Sequence, residues 1–592
     1  MKIVTARDAE ADDLLRDAGF RAEWLRLAGL CPWATAFQGP DFGHAWYASY
    51  RERYEPLLVQ ARAADGALAG LLPLAVGRED QRELVVAGAG QAEYHAWINS
   101  PEAGDEFPAQ AIRWLQGAFP HSLLKFQYLP PGTPQGWLSG TGPGANFTIV
   151  THRRPLLHLG PAAEAEKFLR NKSDKSKFNR LKKIGPVGFR RITDAAGLEA
   201  ALNEVSRFCD FRHAALHGVA PFRADPAKRQ FHLRMVEYPG LLHATALTVG
   251  DRIIAAHLGV SSAREVHLGV TAYDPFLTKL SPGKFLIHFL ADRLRAEGYE
   301  RLDLTPGGDA YKERFANDND EVAALTLPLG PGGRARAAAP RAAIRGGRRL
   351  LKVLRVDPQR VRSLGARLRR VGPVGTAGAL VRRGRRWLGS ARELRVYAHD
   401  AAGVADGAED DLIRRDALED LLTYEAVEGS PTSREFLSGA LARIEAGAHV
   451  YTSVADGRLA HWGWLAERQE TSFLSEVRTG FTFPPNSACL YDFYTHPHYR
   501  GRGLYTRSLR RMLRDAARVP GTEKVYIFVL ADNIASRKVI EKAGFRYEGS
   551  LFEAVRFGQA RRWAEGLEGG QGGDRPKTFE GLPRGVSPDV PV

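Results

Sequence analysis

DFYTHPHYRGRGLYTRSLRRML, residues 492–513, joins a strand pattern to a basic amphipathic helix through a loop of arginine and glycine. Arg500-Gly501-Arg502-Gly503 carries no bulky apolar side chain, so its backbone N–H groups can close around an anion at the first turn of the following helix. Strand, anion-capable loop and helix in that order predict an α/β fold with a mixed sheet. Asn533-Ile534-Ala535-Ser536 and Lys542-Ala543-Gly544-Phe545 follow in order, separated from the loop by one helix and one strand.

Outward from that stretch the C-terminal part alternates. A strand is expected at 393–398, helices at 410–424 and 432–446, and a hairpin of 448–454 and 458–466 turning at Ala455-Asp456-Gly457. Strand 488–495, helix 504–517, strand 524–530 and helix 534–543 complete it. The N-terminal part holds a quieter copy of this grammar. A strand at 265–271 precedes Ser281-Pro282-Gly283-Lys284, which opens a helix at 285–296; a strand at 299–304 and a short helix at 310–315 follow.

The chain of 592 residues is too long for one hydrophobic core. Cys31, Cys209 and Cys489 lie far apart with no C-x-x-C spacing, which argues against a disulfide framework or a structural zinc site. The N-terminus has no basic region ahead of an apolar run, and no window holds eighteen uninterrupted apolar residues, so a cytoplasmic location is expected. The net charge of +15 would suggest a nucleic-acid partner, were it not concentrated in one segment. Residues 331–390 hold sixteen arginines and Lys352 against Asp357, a net of +16, leaving −1 for the rest of the chain. Nucleic acid is therefore not the expected partner. The segment reads as a solvated linker or as a peripheral attachment to an anionic surface such as the inner membrane. The glycine- and proline-rich tail, 566–592, is expected to be disordered.

The arginine-x-x-Gly-x spacing at Arg500, with the motifs at Asn533 and Gly544-Phe545, resembles the acyl-CoA loop and second signature of the Gcn5-related N-acetyltransferases (GNAT). The N-terminal part, through FQGPDF at Phe37, LLVQARAADGALAGLLPLAV at Leu57, GQAEYHAWI at Gly90, SPGKFLIHFL at Ser281 and LDLTPGGDAYKERFA at Leu302, resembles the CelD-like (BioF2-like) acetyltransferases of bacterial exopolysaccharide loci. That family is related to the FemAB peptidoglycan aminoacyltransferases. The two resemblances imply tandem acyl-CoA N-acyltransferase folds: one at 1–155, a second packed on it at 156–330, the linker 331–390 and a GNAT domain at 391–565.

They also imply a donor, acetyl-CoA or another acyl-CoA, with no metal, and an acceptor amine or hydroxyl on a sugar or polysaccharide precursor. FemAB-type transfer from charged tRNA is the alternative reaction, and an N-terminal polymer-binding module serving a C-terminal enzyme the alternative division of labour. Two central parallel strands should splay so that the pantetheine arm pairs with a free strand edge. The expected cofactor residues are Phe493, Thr495, Arg500, Gly501, Arg502, Gly503, Leu504, Tyr505, Thr506, Asn533 and Ser536. Tyr505 stands where the loop usually ends in a small residue, and Ile540 where many relatives carry the tyrosine that protonates the thiolate. Tyr494, Tyr499 and Tyr547 are substitute donors, with Tyr494 favoured. Asp492, a strand carboxylate, is the expected base, and Glu476 a second. In the N-terminal part Asp303, at the end of an apolar strand, is the expected catalytic carboxylate. Arg212, Ser281, Gly283, Lys284, Tyr311 and Lys312 are expected to border the substrate. His213 and His217 sit one helical turn apart without a clear third ligand, so no metal site is expected there.

Overall fold

The computed structural model describes residues 2–140, 147–160, 171–338, 389–404, 410–557, 559–567 and 572–573. The chain divides into two compact units, one comprising Met1–Cys209, Pro221–Asp274 and Leu280–Val356, the other Asp210–Ala220, Pro275–Lys279 and Asp357–Val592.

In the first unit the early strands of each predicted fold build a sheet of their own. Lys2–Arg7, Tyr54–Arg62, Leu68–Gly77 and Leu84–Val86 run antiparallel in one, with Ile98–Asn99 on its third strand. Val187–Ile192, Leu242–Val249, Arg252–Val260 and Val270–Tyr273 make the other. The late strands merge into a third, mixed sheet in the order Glu265–His267, Arg301–Asp303, Thr148–His158, Asp318–Pro328, Leu123–Leu129. Two corrections follow. The expected boundary at 155/156 falls inside the strand Thr148–His158, which pairs with strands from the later region on both sides, so the two folds share a sheet. The expected strand 265–271 is broken: Glu265–His267 pairs parallel with Arg301–Asp303, Gly269 turns at φ 50°, and Val270–Tyr273 pairs antiparallel with Arg252–Val260.

The second unit is built on an eight-stranded sheet ordered Arg414–Arg415, Ala448–Ala455, Arg458–Ala466, Ser487–Thr495, Lys524–Leu530, Gly389–Asp400, Arg546–Arg556, Gln559–Glu565. Leu504–Arg518 is helical because Leu509, Met512, Leu513 and Ala516 recur at three- and four-residue spacing; they are buried, while most of its arginines lie on the other face. Those side chains pack on Leu490, Val525, Ile527 and Ile540 in one core, each large aliphatic contributing about 1.5–3 kcal/mol. The helix expected at 410–424 shrinks to Leu418–Leu421: Arg414–Arg415 are taken into the sheet, and Asp416 turns at φ 58°. The linker reading of 331–390 rests largely on residues outside the described ones; 331–338 are helical and 389–390 begin a strand. Within the expected disordered tail, Gly572–Gly573 pair with Gly480 and Phe481, and residues from 574 onward lie outside the described ones. Among the described residues no helix is long and apolar enough to cross a membrane, and no group of three or more His, Cys, Asp or Glu could hold a metal ion.

Candidate functional site

In the second unit the strands Ser487–Thr495 and Lys524–Leu530 are hydrogen-bonded in parallel only from Ser487 opposite Lys524 to Leu490 opposite Ile527. Beyond Leu490 they part. The cause is a bulge, with Asp492 at φ 49° and the register to the neighbouring strand slipping between Trp462 and Trp464. Gly463 sits within the slip, and a Cβ there would lie 2.7 Å from the Phe493 ring. A strand edge is thus open from 491 to 495 on the side that faces away from that neighbour.

The chain then enters the loop. Gly501 and Gly503 have φ of 79° and 76°, the left-handed region that glycine tolerates, and Gly503 is the N-cap of Leu504–Arg518 with no side chain closing the helix end. The first amide to return to the helix is Arg507 N–H, donated to Gly503 O at 3.1 Å. The N–H groups of 501–506 make no hydrogen bond among the described residues, so the loop is a cradle of unsatisfied donors at the positive end of a fifteen-residue helix. Arg500 is anchored by Nε to the Thr495 carbonyl at 3.3 Å, and Arg502 lies over the Tyr499 ring at 5.1 Å. Tyr505 does not narrow the cradle. Its ring turns inward onto Phe493 at 5.0 Å and its hydroxyl accepts from Ser536 Oγ at 2.9 Å. Asn533 caps the helix Ile534–Lys542 by accepting from Ser536 N at 3.1 Å. Ser536, through Tyr505, therefore ties the loop helix to the helix that Asn533 caps.

Asp492 is buried, and burial pushes its carboxyl above the ordinary range; Arg443, 2.8 Å from Oδ2, opposes that shift and Glu476 adds to it. Arg443 is held in turn over the Trp464 ring at 5.2 Å. Glu476 lines a cavity of about 280 Å³ together with Cys489, Tyr491 and Phe528. Of the tyrosines, Tyr494 stacks on Trp462 at 4.3 Å, and burial raises its hydroxyl while Arg500 opposes. Tyr499 donates to Ala455 O and Asp456 and is a structural residue. Tyr547 is 52% exposed and bonded to Ser550. Ile540 is wholly buried in the core and has no proton to give. The hydroxyl that sequence reasoning missed is that of Tyr505, pushed up to about 12 by burial; its only signal was an aromatic side chain where the loop favours a small one.

The first unit treats its carboxylate differently. His267 and Asp303 face each other at the end of the short parallel ladder, and Asp303 is fully buried. Its Oδ2 accepts from Tyr94 hydroxyl at 2.6 Å, His267 Nδ1 at 3.1 Å and Arg154 at 3.3 Å, and its Oδ1 accepts from Thr305 N at 2.8 Å. Burial alone would raise the carboxyl, but His267, Arg154 and Tyr94 outweigh it and hold it below the usual range. Oδ2 takes three of these bonds, Oδ1 takes one, and no solvent reaches the carboxylate, an environment that weighs against the expected catalytic role. Lys312 is also internal, bonding Thr305 and Pro306 carbonyls at 3.2 and 3.3 Å, which straps a loop whose Thr305 has φ 61°. Tyr311 packs on the adjoining core. Half-buried Glu93, inside the motif at Gly90 and next to Tyr94, has its carboxyl raised by burial against the pull of Lys312.

The Ser281-Pro282-Gly283-Lys284 turn opens the helix Pro282–Ala296, with Ser281 at φ 57°. It is not a second cradle. Lys284 N and Phe285 N both donate to Ser281 O, Pro282 has no N–H, and Lys284 Nζ is paired with Asp174 at 2.5 Å. A Cβ on Gly283 would stand 3.0 Å from the Tyr273 ring. Arg212 groups with the second unit and pairs with Glu445 at 3.0 Å, whereas the residues expected to accompany it group with the first unit. The His213 and His217 rings lie 5.4 Å apart.

Comparison with known proteins agrees with two of these regions. Residues 170–313 and residues 412–546 each match an acetyltransferase (GNAT) domain family, by two different family models. The uncharacterized N-acetyltransferase YycN of Bacillus subtilis is 38% identical over 63 residues, 11% of this chain, which spans 40% of that relative's length. Among solved structures, the C-terminal DUF2156 domain of a putative lysylphosphatidylglycerol synthetase from Agrobacterium fabrum is 13% identical. It covers 54% of this chain and 97% of its own, with a TM-score of 0.36. A tandem GNAT protein from the clavulanic acid biosynthesis pathway is likewise 13% identical, covering 56% of this chain and 99% of its own at a TM-score of 0.32. Each half of the chain thus contains a region that matches a GNAT acetyltransferase domain.

Proposed function

We propose that the C-terminal domain transfers an acyl group from acyl-CoA, with acetyl-CoA the expected donor, to a primary amine of a sugar or envelope-polysaccharide precursor. The observation that carries this reading is the row of unbonded N–H groups at 501–506 beside the strand edge opened at Leu490. A diphosphate satisfies the first and the amides of a pantetheine arm the second. In the proposed step Asp492 takes the proton of the acceptor ammonium, and the neutral nitrogen attacks the thioester carbonyl. The C–N bond forms, the C–S bond breaks, Tyr494 gives its proton to the departing thiolate, and the tyrosinate so formed takes the second proton that the nitrogen loses in becoming an amide. Most of the rate comes from holding donor and acceptor together. Calorimetry of the full chain with acetyl-CoA tests the site: Gly503→Glu fills the cradle with a like charge and should abolish binding, and unchanged affinity in that variant refutes the assignment.

For the N-terminal half a second reading has its own support. With Asp303 sealed and the Lys284 amide spent, a module that holds the acceptor polymer fits better than a second acetyltransfer centre. The exopolysaccharide association of the CelD-like resemblance and peripheral membrane attachment through 331–390 belong to this proposal. Deleting 339–388 should reduce co-sedimentation with anionic liposomes at low salt, and sedimentation indifferent to the deletion removes the membrane from the proposal.

A further inference from the structure

One helix of the first unit carries a charge that the fold does not use. Lys172–Ile184 holds six cations and one carboxylate. Its inner face is spent: Asp174, Phe178 and Leu181 are buried, Asp174 pairs with Lys284, and Phe178 meets the Phe285 and Phe289 rings at 5.3 and 5.9 Å. Lys177 donates to Ser281 Oγ at 3.0 Å on the same side. The remaining five cations, Lys172, Lys175, Arg180, Lys182 and Lys183, are exposed and make no ion pair among the described residues.

Helix stability accounts for two of them. Lys182 and Lys183 sit at the negative end of the helix, where cations are favourable, and Lys182 also lies over the Phe178 ring at 4.9 Å. Lys172 and Lys175 sit at the positive end, which repels them. Lys172 with Lys175, and Arg180 with Lys183, also set like charges three residues apart on one helix. Such a row weakens the helix that carries it, and an anion lying along it reverses that effect. The side chains between the cations narrow the choice of anion. Ser173, Ser176 and Asn179 are exposed among them and offer hydroxyl and amide groups. This face has no aromatic ring on which a nucleic-acid base could stack. Ile184 is the only exposed apolar side chain of the helix, whose apolar stripe is already in the core and so cannot enter a lipid surface. The face from Lys172 to Lys183 runs about 16 Å, longer than any one sugar ring.

We infer that the outer face of Lys172–Ile184 grips an acidic polysaccharide, a sugar chain with anionic groups at intervals. The lysines and Arg180 meet its acid groups, and Ser176 and Asn179 meet its hydroxyls. The inference rests on the reading of the N-terminal half as a module that holds a polymer, and it names the class of that polymer. It is independent of the acyl-CoA assignment at 500–506.

Binding of the full chain at low salt to polygalacturonate, its neutral methyl ester, poly(U) and phosphatidylglycerol vesicles tests this. Polygalacturonate should bind and the ester should bind far less. Replacing Lys172, Lys175, Arg180 and Lys183 together by Gln should weaken polygalacturonate about tenfold. A control in which Gln replaces Arg345, Arg348, Arg349 and Lys352 loses the same charge from the segment 331–390 and should keep most of that affinity. Ser176→Ala combined with Asn179→Ala changes no charge; it should weaken polygalacturonate about threefold and leave poly(U) and the vesicles unaltered. Circular dichroism establishes that each variant folds. Three results overturn the inference and leave the module reading in place, because the parent still holds a glycan: equal binding of polygalacturonate and its ester, a loss in the control as large as in the helix variant, or a Ser176→Ala, Asn179→Ala deficit that is absent or is shared by poly(U) or the vesicles. A parent chain that binds neither polygalacturonate nor its ester overturns the inference and the module reading together.

Discussion

The two parallel-strand openings at Asp303 and Asp492 are built to one plan and closed in opposite ways. In each, a short parallel ladder ends at or near an aspartate; from Ser487–Thr495 the chain passes through the loop into the helix Leu504–Arg518, and from Glu265–His267 it reaches the helix Pro282–Ala296 by way of the strand Val270–Tyr273. At Asp492 the bulge leaves a strand edge open, one arginine partners the carboxylate, and six loop amides stand unbonded. At Asp303 four donors close on the carboxylate, and the turn spends its amides on Ser281 O. The lesson is that a buried carboxylate beside a splay marks a reactive site only when its shell is incomplete. A completed shell makes the same residue a tie between strands.

The largest effect that separates the two is on stability. Asp303→Asn leaves Arg154, His267 and Tyr94 facing an amide that cannot accept from all of them, and should cost about 3–5 kcal/mol. Urea unfolding of the full chain should show the N-terminal transition displaced and the C-terminal one unmoved. The pH dependence has a definite sign. A carboxyl lowered in the folded state stabilises above its unfolded value and loses that contribution as pH falls through the folded value, so the N-terminal transition should weaken in acid in the parent and not in Asp303→Asn. An Asp303→Asn protein with unaltered unfolding and lost activity would return Asp303 to catalysis.

Asp492→Asn should do the reverse. Burial raises this carboxyl, so its ionised form is held at a cost that rises with pH, and the amide should leave the melting temperature near that of the parent. Turnover should fall about 10²-fold if the carboxylate takes the acceptor proton. In the parent the acidic limb of the rate profile should lie above the ordinary carboxylate range, and the variant should lack it. A variant of parental turnover would leave Asp492 as no more than the partner of Arg443.

What could be read from residues alone follows the same division. Most C-terminal elements were legible from local signals, as where Ala455-Asp456-Gly457 turns a hairpin and four apolar residues at helical spacing face the core in 504–518, while the helix expected at 410–424 gave way to sheet pairing at Arg414–Arg415. The N-terminal strands were less so, because Thr148–His158 takes its partners from residues more than a hundred positions later, and no local pattern announces that pairing. At the sites, residue type gave the carboxylates and not their shells. Tyr94, Arg154 and His267 come from three separate stretches, and only the fold brings them to Asp303.

The smallest effect concerns the proton for the leaving thiolate, which Ile540 cannot give. Two hydroxyls neighbour the open strand: Tyr494, stacked on Trp462 near Arg500, and Tyr505, bonded to Ser536 against Phe493. Tyr505 already accepts one hydrogen bond and helps hold the loop helix to the helix at Asn533, so Tyr505→Phe should loosen acyl-CoA binding more than it slows the step. Tyr494 has no such bond to lose. Tyr494→Phe should therefore lower kcat about tenfold with KM for acyl-CoA little changed, a modest value because a thiolate is a tolerable leaving group near neutral pH. Rates with a donor of lower thiol pKa separate proton transfer from packing: the Tyr494→Phe deficit should shrink with such a donor. If instead the Tyr505→Phe deficit shrinks and that of Tyr494→Phe does not, the proton comes from the loop helix, and the residue that departs from the loop's usual pattern is the one that replaces the missing tyrosine.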